Sequence, residues 1–339
     1  MSVLTDVHRS DAFARVRDFD AAARFHVWHS RLGLADKVDR QVQEALGAGR
    51  GFVVVGQSGS GKTSTLAAAA LGTEGFELAH LPLRLSVSGV ADNSNDPRFL
   101  ASRVVRAIAQ VSDQAQQLVD RAAPEGTATG PAGIWRVRVG GKVTQLSREI
   151  RQRTEDVNFE RTPNEVLDAA SEALRLLVAS GLRPVLVLED ADGLLRLPGR
   201  NDEERHELAS AFFADGLDPL LRELGVPAAV AVQPDYLALD GFQQARAFFD
   251  GVAFVPVPSQ LSSAGLQLLI GETLRTSTAD YAVDDVFDPE ALEVLVHSRY
   301  SLPTIRSVIE VCSAGVLKAL EEDHRQVLED DVGYAISQG

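Results

Sequence analysis

The chain has 339 residues, with 33 Lys and Arg against 48 Asp and Glu, and its formal net charge of −15 excludes a protein that coats nucleic acid through bulk positive charge. At roughly 150 residues per domain the length fits about two domains, and a composition of 45% apolar and 24% charged residues is that of a globular protein with material for a core. A single cysteine, Cys312, allows neither an internal disulfide nor a thiolate zinc site, and no apolar run approaches the roughly 18 residues of a membrane span. The first twenty residues interleave charged and apolar side chains instead of forming a signal-peptide core, so a cytoplasmic protein with no membrane partner is expected.

In chain order, residues 1–32 read as an N-terminal segment, and helical spacing at Leu34, Val38, Val42 and Leu46 predicts a helix over 33–48 that stops at Gly47 and Gly49. The apolar run Phe52, Val53, Val54, Val55 predicts a buried parallel strand, followed by a glycine-rich turn and a helix over 63–71. A strand is expected within 76–87, then helices over 97–121 and 163–180, the latter with Val166, Ala169, Ala173, Leu174 and Leu177 on one side. Residues 184–188 form a second fully apolar strand ending in Glu189 and Asp190. A helix over 203–224, a strand over 228–232, short helices over 235–249 and a strand over 252–257 complete an alternation that specifies a parallel α/β sheet covered on both faces. Beyond Pro256 and Pro258 only helices are expected, over 260–275, 288–298, 303–321 and 328–336, with Pro289 and Pro303 near helix starts. The expected organisation is therefore an α/β core over 33–258 and a small all-helical lid over 259–339, which carries a net −9.

Between the strand of 52–55 and the helix of 63–71 stands Gly56-Gln57-Ser58-Gly59-Ser60-Gly61-Lys62-Thr63, a complete G-x-x-x-x-G-K-[ST] loop. Its glycines let backbone N–H groups turn inward as an anion cradle, and the following helix aims its positive end at the bound phosphates. Lys62 is expected to reach the β and γ phosphates of ATP and Thr63 to hold Mg²⁺, with Ser64 completing the binding stretch of residues 56–64. A nucleophile elbow is excluded because G-x-S-x-G would need glycine where Ser60 stands. The strand ending at Leu188 then supplies carboxylates where α/β sheets place their ligands: Glu189 for the Mg²⁺ shell and Asp190 as general base for the attacking water.

With these parts in this order, the chain over residues 25–337 resembles the AAA+ ATPases, in the branch shared by origin-recognition-like and signalling (STAND or KAP type) ATPases. The turn Glu189-Asp190-Ala191-Asp192-Gly193-Leu194 is similar to that branch's D-D/E-x-D-x-L pattern, with Glu189 in place of the usual aspartate. The resemblance implies a P-loop NTPase sheet sandwiched by helices and followed by a helical lid. It also implies roles: Gln233, closing the strand of 228–232, as the sensor 1 residue that orients the water; Arg246 as an arginine finger acting on a neighbouring subunit; and Arg306 as sensor 2. An ordinary strand-end amide and a surface arginine remain the alternatives for Gln233 and Arg246. In the place of the glycine that usually precedes sensor 2 stand Ser301 and Leu302. Ahead of the loop, Phe25, His26, Val27 and Trp28 offer either an adenine-packing cluster or core. No histidine spacing suits a metal: His206 and His324 are expected to be solvated, His80 and His297 to be partly buried.

At about 130–160 lies an insert in which residues 134–153 hold Arg136, Arg138, Lys142, Arg148, Arg151 and Arg153 against Glu149 alone. Period-two alternation around Gly140-Gly141 reads as a basic hairpin able to track a phosphate backbone, with Arg136, Arg138 and Lys142 as its candidate nucleic-acid contacts. Two readings follow for an architecture expected to be oligomeric: a DNA contact in an assembly of subunits, or a self-assembly surface that pairs the strip with a neighbour's acidic lid. The sequence ends at Gly339, just after the last lid helix, without the winged-helix domain common in origin-recognition proteins, which favours the DNA reading less. The expected function is an ATP-hydrolysing assembly or regulatory switch in DNA transactions, working as a homo-oligomer; the alternative is a signalling scaffold acting on a protein effector. A small-molecule kinase fits the lid and sensor pattern poorly.

Overall fold

The computed structural model describes residues 2–13, 22, 26–27, 31–32, 37–71, 81–86, 104, 107, 167–168, 170–172, 174–175, 178, 183–189, 191–196, 198–255, 257–277 and 281–338. The basic insert, Asp190, Phe25, Trp28 and His80 lie outside them. Residue contacts divide the chain into two compact units: Met1–Arg40 with Gly56–Ala67 and Phe254–Gly339, and Gln41–Val55 with Ala68–Ala253.

The second unit is built on a five-stranded sheet. Its strands are β1 (Gly51–Val55), β2 (Leu81–Ser86), β3 (Pro184–Glu189), β4 (Ala228–Val232) and β5 (Phe249–Phe254), in the order β2-β3-β4-β1-β5. The pairings of β1 with β4, β4 with β3 and β3 with β2 are parallel. Every residue of β1 and β4 is buried, which is why these runs are continuously apolar with no alternation. Val53, Leu186, Val230 and Val232 enter a single core with Phe212, Phe213, Tyr236 and Phe242, whose rings meet edge to face.

The helix expected over 203–224 is continuous but changes pitch. Asp202–Ala211 and Asp218–Leu224 are α-helical, and Phe212–Leu217 between them opens into wider π-type turns. Pro219 stands at the start of the second α segment, where the missing amide of proline is tolerated. Asn201 and Glu204 form a capping box at one end, and Gly225 in the left-handed conformation closes the other.

The expected last strand is displaced. β5 covers Phe249–Phe254 instead of 252–257, and the preceding short helices end at Phe248. Phe249 is the buried residue that joins the core, whereas prolines at 256 and 258 lack the N–H a strand needs, so pairing ends before them.

In the first unit, α1 (Val3–Arg9), which was not expected as an element, packs Leu4 and Val7 into a helical core. α2 (Lys37–Gly47) precedes β1, and α3 (Lys62–Leu71) follows the glycine loop. The C-terminal helices are α4 (Ser263–Ser277), α5 (Val283–Val286), α6 (Pro289–Ser298), α7 (Ile305–Glu321) and α8 (Glu329–Gln338). Leu266, Ile270 and Leu274 of α4 meet Val308, Cys312 and Val316 of α7 in one cluster. Asp288 caps α6 ahead of Pro289, and Thr304 caps α7 directly after Pro303.

Two histidines differ from expectation. His297 is exposed and its Nδ1 bonds the Glu293 carbonyl one turn back, because it lies on the outer face of α6. His324 is half-buried and held 3.0 Å from the buried carboxylate of Asp331, which also accepts the Leu328 amide. His206 is exposed, as expected.

Candidate functional site

The glycine loop leaves the end of β1 and turns back on itself through Gly59 at φ +83° and Gly61 at φ +95°, conformations that side chains with a Cβ disfavour. The Ser60 amide donates to the Gln57 carbonyl at 3.1 Å and closes the turn. The Gly61 carbonyl then accepts the Thr65 amide at 3.0 Å, the Ser64 hydroxyl at 2.8 Å and the Thr65 hydroxyl at 3.2 Å. These bonds start α3, whose first amides no preceding helical turn can satisfy.

Lys62 is buried and folds back over the loop, its Nζ donating to the carbonyls of Gly56 at 2.8 Å and Gln57 at 3.0 Å. A buried ammonium needs such partners, and here the loop's own main chain supplies them. Ser60 is only 2% exposed, and its Oγ has no hydrogen-bond partner among the described residues. A Cβ on Gly56 would stand 2.5 Å from that oxygen, so glycine is required for this close approach. Thr63 is exposed at the start of α3.

The structure brings Arg306 to this loop. Its amide, in the first turn of α7, donates to the Gly59 carbonyl at 2.9 Å. A Cβ on Gly59 would lie 2.7 Å from Arg306 Cβ and 3.0 Å from Thr304 Oγ1, so the loop and the capped start of α7 are in direct contact. His26 also reaches the loop helix. Its Nε2 donates to Asp39 Oδ1 at 3.0 Å, and its Nδ1 lies 3.4 Å from Ser64 Oγ. With the side chain 4% exposed and both nitrogens facing oxygens, His26 is a packed polar residue and not an open stacking surface.

In the sheet, Glu189 closes β3 opposite Ser86 of β2. Gln233 follows β4, whose Val232 pairs with Val55 of β1, and β4 lies between β1 and β3. Gln233 Nε2 is buried with no hydrogen-bond partner among the described residues. Arg246 is exposed on the turn before edge strand β5, its Nη1 donating to Gln243 Oε1 at 3.4 Å. Asp190 and the insert residues Arg136, Arg138 and Lys142 are outside the described residues.

Three residues at these positions carry no sequence signal of their own. Tyr236, fully buried after β4, donates its hydroxyl to the carbonyl of Ala191, the residue after Asp190, and so ties down the acidic turn. Asp39 stands in the first turn of α2 and Thr304 at the cap of α7, and the fold sets them beside His26 and Gly59. Far from the loop residues in sequence, the sole cysteine is inert: burial pushes the Cys312 thiol up to about 12.

No family model matches the chain, and no curated protein sequence matches it. Solved structures do. The chain is similar to Cdc6p from Pyrobaculum aerophilum at 16% identity, with a TM-score of 0.52 over 96% of this chain and 72% of that one. It is also similar to the ORC2 protein of Aeropyrum pernix, solved as ADPNP-ADP complexes, at 15% identity, TM-score 0.50 and 89% and 66% coverage. For the Aeropyrum pernix ORC1 protein in complex with DNA the values are 13%, 0.49, 89% and 64%. The chain thus spans about two thirds of the length of these structures.

The fold is that of a P-loop NTPase. Its parallel sheet with helices continues into a helical domain, as the alternation of strands and helices followed by helices alone requires. The loop fits nucleotide phosphates on its own geometry: two left-handed glycines, a buried lysine on the loop carbonyls and an orphaned buried hydroxyl. Among the described residues there is no cluster of three or more His, Cys, Asp or Glu side chains suited to a metal, and no helix is long and apolar enough to cross a membrane.

Proposed function

We propose that the chain is an ATPase of the AAA+ type, with a nucleotide-binding core over residues 33–258 and a lid over 259–339. The observation that carries this reading is the glycine loop with Lys62 buried on the carbonyls of Gly56 and Gln57. In it, residues 56–64 bind the phosphates of ATP through main-chain amides, and Lys62 neutralises their charge. Thr63 and Glu189 would hold Mg²⁺, which supplies charge neutralisation on the phosphate oxygens. Asp190 acts as general base, and Gln233 orients the water through the amide nitrogen that has no partner among the described residues. Arg306 stabilises charge from the lid side, where its amide already engages Gly59. Arg246 acts in trans in a homo-oligomer, a role that an exposed arginine held only by a weak bond to Gln243 among the described residues suits.

The output proposed is an ATP-dependent assembly or regulatory switch in DNA transactions, in the cytoplasm, with Arg136, Arg138 and Lys142 of the +5 insert on the phosphate backbone. The alternative output is a scaffold that controls a protein effector. The test is nucleotide titration and phosphate release with the intact chain. Wild type binds and hydrolyses ATP, Lys62→Ala loses binding, and Asp190→Asn binds but turns over at least about a hundredfold more slowly. Full turnover by Asp190→Asn overturns the base assignment. Salt-sensitive DNA binding abolished by changing Arg136, Arg138 and Lys142 supports the first output, and ATPase and assembly unaffected by DNA support the second.

A further inference from the structure

Three segments distant in sequence meet at His26. Its ring is buried, its Nε2 donates to Asp39 Oδ1 at 3.0 Å, and Asp39 itself is 1% exposed in the first turn of α2. On the other side, Nδ1 stands 3.4 Å from Ser64 Oγ. Ser64 uses its own proton on the Gly61 carbonyl at 2.8 Å, so the contact with the ring takes Nδ1–H as donor and Ser64 Oγ as acceptor; with Nε2–H on the Asp39 carboxylate, both ring nitrogens carry protons and the ring is an imidazolium paired with that carboxylate. Burying this set of polar groups is costly unless each is paired, and the pairing here runs in one line from α2 to the start of α3.

The end of that line is the peptide that matters for an anion cradle. Gly61 at φ +95° lies between the loop and the helix, and its carbonyl gathers three donors from Ser64 and Thr65. Fixing Ser64 fixes one of those donors, and therefore the orientation of the peptide that aims the first amides of α3. We propose that His26 is a positioning residue of the phosphate loop: an Asp39–His26–Ser64 strut holds the cradle in its binding conformation before a ligand arrives. His26 touches no phosphate in this role; it acts through Ser64. The strut makes the segment ahead of the core part of the phosphate site. The inference rests on the nucleotide reading above for its effect on affinity, but the strut itself does not.

Two measurements on the intact chain separate these parts. The first is amide hydrogen exchange of nucleotide-free protein. His26→Gln, long enough to keep a donor on Asp39 but lacking a second nitrogen for Ser64, is expected to speed exchange at residues 64 and 65 while the amides of α6 and α7 are unchanged. Unchanged exchange at 64 and 65 overturns the strut. The second is a double-mutant cycle with Ser64→Ala, read by titration with a fluorescent ATP analogue. His26→Gln is expected to weaken binding by about five- to tenfold in the wild-type background and to have no further effect beside Ser64→Ala. An equal loss in both backgrounds, or no loss in either, overturns action through Ser64. If wild type binds no nucleotide while exchange at 64 and 65 still responds to His26→Gln, the nucleotide reading has failed and the strut stands as a structural device.

Discussion

Gly59→Ala probes the junction between the phosphate loop and the lid helix α7. At φ +83° an alanine costs about 1–2 kcal/mol in backbone strain alone. Its Cβ would also lie 2.7 Å from Arg306 Cβ, whereas carbon atoms settle at about 3.5–4.0 Å, so one side must retreat by roughly 1 Å. Arg306 Cβ is fixed to the first turn of α7, and the retreat breaks the 2.9 Å bond from the Arg306 amide to the Gly59 carbonyl, for a further loss of about 1 kcal/mol. The control is Gly49→Ala, where φ is +71° but nothing lies within 4 Å of the added Cβ. Urea denaturation should show Gly59→Ala to be less stable than Gly49→Ala by about 1 kcal/mol or more, and nucleotide titration should show at least about tenfold weaker binding for Gly59→Ala only. Equal destabilisation by the two variants, with nucleotide affinity intact in both, would refute the contact between loop and lid.

Arg246→Ala should bind ATP normally and lose turnover, and mixing it with Asp190→Asn should restore part of the activity, because each supplies what the other lacks; wild-type turnover by Arg246→Ala alone rejects the finger. Tyr236→Phe leaves the buried Ala191 carbonyl without its donor and should cost about 1–3 kcal/mol in chemical denaturation together with slower phosphate release; a change in stability with turnover intact would show that the acidic turn holds without it. Cys312 should resist alkylation in the folded protein and react in urea. Its thiol titrates near 9.0 when unfolded and at about 12 when folded, so the stability it contributes is complete below pH 9 and declines as pH rises toward 12. Denaturation midpoints measured from pH 8 to 10.5 should therefore fall more steeply for wild type than for Cys312→Ala, and parallel curves would contradict the burial of the thiol.

What the amino-acid order determined by itself was local. Ala228–Val232 is legible to the residue because a strand buried on both faces admits only apolar side chains, and the glycine loop is legible because left-handed turns and a close main-chain approach restrict its residues. The C-terminal helices follow from their apolar spacing and from Pro289 and Pro303 near their starts. The edge strand was misplaced by three residues, since at an edge the pattern is weaker and only packing distinguishes buried Phe249 from exposed Phe254. Partnerships across long separations belong to the tertiary structure alone. Nothing in the spacing of Gly59 and Arg306, of His26, Asp39 and Ser64, or of Ala191 and Tyr236 announces that they touch. Periodicity reports which face of an element is buried; which other element covers that face is decided when the whole chain packs, and the loop's neighbours are set at that step.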